Sequence, residues 1–158
     1  MNNNVQQNSI KTDTSTIQKS FCTATKYKWE AVQCFQQNWD INSADFAQML
    51  KKSLAQTDNL LRSRSNFPAG MITGFAEVAP EEVRSMYMEL YDESKDLYER
   101  VANFKNKSNT LLECYGNGAA QHYQYENAIM TYLWLRYPDI YYIYKFGEVK
   151  AVASELSF

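Results

Sequence analysis

Glycine and proline are scarce in this chain, with five and three among 158 residues. So few chain breakers argue against a turn-rich β-fold and for long helices. Cysteine is equally thin. Cys22, Cys34 and Cys114 are odd in number and far apart, with no C-x-x-C pair to suggest zinc or dithiol chemistry, and they read as buried free thiols in a reducing cytosol. Histidine occurs once, at His122, which removes most hydrolytic and metal sites that depend on paired imidazoles and leaves a surface or capping role. Charge of one sign is lacking as well: the formal net charge of −2 exerts no overall pull toward nucleic acid or anionic lipid. No stretch approaches the ~18 to 20 apolar residues that span a bilayer, and the first residues lack the apolar core of a secretory signal. The expected setting is cytoplasmic, without a membrane.

Residues 1–24 are rich in Asn, Gln, Ser and Thr and carry almost no large apolar group before Phe21. Such a segment cannot bury enough surface to offset its ordering entropy, so the sequence predicts a disordered tail at 1–24 and a single helical domain at 25–158. The predicted class is all-α, a bundle of about six helices. Trp29, Val32, Phe35 and Trp39 recur at helical spacing on a first helix. Asn42 or Ser43 is placed to cap a second, with Asp45 adding charge to its first turn and Phe46, Met49, Leu50 and Leu54 on one face; it runs on, with a break near Thr57, to Leu60 and Leu61. A third, from about Ala69 to Val78, is expected to bury Met71, Ile72 and Phe75, with Gly70 and Gly74 leaving one side bare for close approach.

The clearest helical pattern follows Pro80, where Val83, Tyr87, Leu90, Ser94, Leu97, Val101, Phe104, Ser108 and Leu111 form a heptad-like seam. One helix is predicted over about 80–105, an interruption at FKNKSNT, and a shorter helix ending near Tyr115. Glu89, Asp92, Glu93 and Asp96 are then read as a solvated face opposite that seam rather than a metal or acid–base site. The GNG at 116–118 is a helix stop and not a phosphate loop. A further helix covers about Tyr125 to Arg136, ended by Pro138. Ile140 to Lys145 fits either a short strand or an extended link into a last helix at 147–156.

Aromatic side chains are what the sequence has in excess. His122 to Phe146 holds seven tyrosines, a tryptophan and a phenylalanine around one proline. Rings at this density either cement a core or present a stacking surface. In the second case Trp134, Arg136, Tyr137, Tyr142 and Lys145 are the candidates for DNA binding, with rings on bases and cations on phosphate. Lys51 and Lys52, Arg62 and Arg64, and Lys105 and Lys107 are smaller basic groups that could also meet phosphate. No catalytic constellation, metal set or cofactor motif accompanies them.

The stretches KYKWEAVQCFQQNWDINSADFAQML, NFPAGMITGFA, EEVRSMYMELYDES and ENAIMTYLWLRYPDIYYIYKFGEVKAVASEL resemble the N-terminal helical region of bacterial McrB-like proteins, the AAA-type NTPases of modification-dependent restriction systems. The resemblance covers Tyr27 onward. It implies a specificity or adaptor module in foreign-DNA defence, binding DNA or docking an NTPase motor and a nuclease subunit. It transfers no catalytic residue, because neither a G-x-x-x-x-G-K-[ST] loop nor a Walker-B-like strand is present; a truncated or split gene product and a stand-alone module both fit. The alternative from another class is a helical interaction module that assembles with itself or with another protein.

Overall fold

The computed structural model describes residues 25–143. The predicted disordered tail at 1–24, Lys145 and the predicted helix at 147–156 lie outside the described residues. Among the described residues seven helices follow one another: α1 at 25–38, α2 at Phe46–Ser53, α3 at Asp58–Leu61, α4 at Pro68–Val78, α5 at Pro80–Leu90, α6 at Leu97–Tyr115 and α7 at Glu126–Arg136. The protein is all-α, as its composition predicts. The only β-type pairing among the described residues is an isolated bridge between Ser63 and Asn66.

Local chemistry sets the helix ends. Asp45, rather than Asn42 or Ser43, caps α2: its carboxylate accepts from Gln48 N at 3.0 Å. Pro68 and Pro80 open α4 and α5 at positions where a missing N–H costs nothing. At the GNG stop the left-handed residues are Asn117 (φ 48°) and Gly118 (φ 83°), while Gly116 stays helical.

The long helix after Pro80 is a helical hairpin. The chain leaves α5 at Tyr91 and enters α6 at Leu97. Asp92 accepts from Ser94 N at 3.1 Å and Ser94 Oγ at 2.6 Å, and Asp96 caps α6 by accepting from Glu99 N at 3.1 Å. The FKNKSNT stretch does not interrupt α6, because Ser108 and Thr110 turn their hydroxyls back onto the carbonyls of Phe104 and Asn106. The predicted seam is thus split between two helices packed on each other, with Val83, Tyr87 and Leu90 buried from one side and Phe104, Ser108 and Leu111 from the other.

The core gathers where α4, α5 and α6 meet α2 and α7. Its centre is aromatic: Tyr87 lies 5.4 Å from Phe104 and 5.5 Å from Tyr132, both edge-on. α7 is buried on nearly every side, with Ala128, Ile129, Thr131, Tyr132, Leu133, Trp134 and Leu135 all inside. α1 closes over it. Val32 and Phe35 are buried and Gln36 Nε2 donates to the carbonyls of Leu135 (2.6 Å) and Arg136 (2.9 Å), whereas Trp29 keeps 52% of its surface exposed. Met71 is only half-buried on α4. Gly70 accommodates the Phe67 ring, while Gly74 faces open space with no approaching neighbour.

Candidate docking cleft at the end of α7

Of the five residues predicted to meet DNA, the four that are described do not form one surface. Trp134 points inward, 8% exposed, with its ring 6.5 Å from that of Trp29. Tyr137 caps α7 and is half-buried, its hydroxyl donating to the Tyr91 carbonyl at 3.3 Å and its ring meeting the Tyr91 ring edge-on at 5.9 Å. Tyr142 is 81% exposed. Arg136 is half-buried, its guanidinium 4.9 Å above the Tyr137 ring. Among these four only Arg136 and Tyr137 come together, where the C-terminus of α7 meets the loop after α1 and the outer face of α5.

There they line a cleft of ≈ 230 Å³ with Trp39, Ile41, Met88 and Tyr91. Its walls are fixed from behind. Trp39 stacks on Phe35 at 4.9 Å and takes edge contacts from Tyr87 at 5.2 Å and Tyr91 at 5.4 Å. Arg84 holds the loop carrying Ile41 by donating to the carbonyls of Ile41 and Ser43, with its guanidinium 4.8 Å over Phe46. The Tyr91 hydroxyl donates to the Tyr132 carbonyl at 3.0 Å, and burial pushes its pKa well up. Neither tyrosine hydroxyl is therefore a free donor. Arg136 supplies the cleft's charge, and no carboxylate among the described residues pairs with it. Sequence periodicity missed Ile41, Met88 and Tyr91. The available signal was Met88, an apolar residue on α5 outside the Val83, Tyr87, Leu90 seam and 58% exposed.

Most of the remaining candidates are engaged by neighbouring side chains. Glu89 is no solvated carboxylate: it accepts from Lys107 at 2.6 Å and Asn103 at 2.8 Å, and these two bonds lower its pKa. Glu93 pairs at 2.9 Å with Arg100, a buried guanidinium that also donates to the Leu90 carbonyl and the Tyr141 hydroxyl. Lys105 meets Glu126 at 2.6 Å, Lys51 meets Glu77 at 3.8 Å and Arg62 meets Asp58 at 3.7 Å. His122 is a core residue, 3% exposed, so of the surface or capping role predicted for it the surface placement does not hold. Its Nδ1 accepts from Gln124 N at 2.8 Å, and Gln124 in turn donates to Pro68 O and accepts from Tyr132 Oη. Nor are both described cysteines buried: Cys34 is half-buried and Cys114 exposed, each a free thiol.

A larger cleft of ≈ 420 Å³ runs between α5 and α6 over Met86 and Leu111, with Glu81, Glu82 and Lys107 on its rim. Lys107 at this cleft is committed to Glu89. Among the described residues no group of three His, Cys, Asp or Glu side chains could hold a metal ion, and no helix is long and apolar enough to cross a membrane. No protein-family model matches the chain, and no curated protein or solved structure matches it.

Proposed function

We propose that this chain is a non-catalytic helical adaptor that docks a protein partner through the cleft at the end of α7. The observation that carries the proposal is the unequal use of its rings and cations. Trp134 is held in the core, and most of the described basic doublets face carboxylates, whereas Met88 on the cleft is 58% exposed and Arg136 beside it pairs with no described carboxylate. Nucleic-acid binding needs several cations free to meet phosphates along a track. One cation beside an apolar cleft suits the anchor of a protein interface better. The restriction setting comes from the McrB-like resemblance of the sequence, which makes an NTPase motor and its nuclease the first partners to test.

Light scattering of the purified chain, alone and mixed with McrB-like motor and nuclease subunits, tests this directly. Co-elution with either subunit, lost when Met88→Asp is introduced, is the expected result. A protein that stays monomeric and ignores both subunits contradicts it. Self-association lost in the same variant would assign the cleft to a second copy.

A further inference from the structure

We propose, on the docking role above, that the cleft takes one large apolar side chain from a partner segment that also carries a carboxylate, and that Arg136 reads that carboxylate. Size comes first. At ≈ 230 Å³ the cleft falls below the ~300 to 1,000 Å³ of small-molecule sites and suits a single anchoring side chain. Trp39, Ile41, Met88, Tyr91 and Tyr137 give it apolar walls, and the hydrogen bonds of both tyrosine hydroxyls to backbone carbonyls leave neither as a donor for a carboxylate.

Charge decides the rest. The Arg136 guanidinium lies 4.9 Å over the Tyr137 ring, and a guanidinium against a ring face can still donate in its own plane to a planar acceptor. No described carboxylate satisfies it, although most other cations of the bundle have one. A partner with an acidic residue next to a Leu or Phe supplies both missing pieces. Half-burial beside apolar walls strengthens the pair relative to one in open water. Preorganisation reduces the entropy lost on binding, since Trp39 is wedged among four rings and Arg84 fixes the Ile41 loop.

The test uses the full chain with ¹³C-methyl methionine and ¹⁵N-indole labels. It is titrated with acetyl-Asp-Leu-Leu-Phe-amide and, separately, with the same peptide carrying Asn in place of Asp. The expected result is a progressive shift of the Met88 methyl and Trp39 indole signals, with the acidic peptide binding about fivefold more tightly. Arg136→Gln should erase that difference while leaving the other methyl signals in place, and Arg136→Lys should keep part of it. Equal shifts with both peptides would overturn carboxylate reading while leaving an apolar docking site. Unmoved signals in a protein that still binds its motor subunit would overturn the inference alone. Failure of both measurements would remove the docking role with it.

Discussion

The hydroxyl of Tyr141 lies 2.9 Å from each carboxylate oxygen of Glu93. It also accepts from Arg100 Nη2 at 3.0 Å, so the segment after α7 is bolted to the α5–α6 turn through a buried guanidinium. Burial raises the Tyr141 pKa, which keeps the hydroxyl protonated as a donor. Tyr141→Phe removes both bonds without changing shape. The expected loss is about 1–3 kcal/mol, read from the urea midpoint; an unchanged midpoint would show that the bolt contributes nothing.

Trp134 and Tyr142 were equivalent candidates in the sequence, and the fold separates them. Trp134→Ala empties a core position and should cost about 3–5 kcal/mol. Tyr142→Ala should stay within about 0.5 kcal/mol of the parent, because its ring is 81% exposed. Thermal unfolding of the two variants checks the pair. Similar melting temperatures would contradict this placement of the rings.

The helices legible in the sequence were those whose ends carry strong local signals, namely Pro68 and Pro80 at starts and GNG and Pro138 at stops. The hairpin between α5 and α6 was hidden because Ser94 and Leu97 keep the seam's spacing through the turn. Asp92, Ser94 and Asp96 gave the better clue, since acidic and hydroxyl side chains that bond their own backbone favour turns and caps over helix interiors. Periodicity also marked rings as apolar without saying which would be enclosed. That depends on contacts such as Gln36 with Leu135, 99 residues apart in the chain. The cleft could not be read for the same reason, because Trp39, Met88 and Arg136 belong to three separate parts of the chain.

Two glycines of α4 should answer the same substitution differently. A Cβ at Gly74 meets nothing within 4 Å, so Gly74→Ala should gain roughly 0.5–1 kcal/mol of stability from helix propensity. At Gly70 a Cβ would fall 2.2 Å from the Phe67 ring, forcing it from its place beneath Arg62. Gly70→Ala should gain less than Gly74→Ala or lose stability outright. Chemical denaturation of both variants measures the difference, and equal gains would refute the packing assigned to Phe67.

Acid should weaken the fold through His122. Burial, helped by Lys105, lowers its pKa below the ordinary 6.5, so the unfolded chain takes up its proton at a higher pH than the folded one. The histidine's contribution is therefore complete above pH 6.5, falls as pH drops below it, and levels off once the folded imidazole also protonates. In His122→Asn the side-chain oxygen can replace Nδ1 as acceptor for Gln124 N. Its stability should vary less between pH 7 and about pH 5 than the parent's. Parallel curves across that window would exclude His122 as the cause.

Tyr132, Trp134 and Tyr141 are enclosed within the bundle, and on the proposed reading the chain docks protein at the Arg136 cleft rather than stacking on bases. Equilibrium titration of the full chain with single-stranded DNA and with modified and unmodified duplexes, at low and at physiological salt, tests that most directly. The expected result is no association that depends on salt. Tight binding whose affinity falls steeply with added salt, and which Tyr142→Ala weakens, would contradict it.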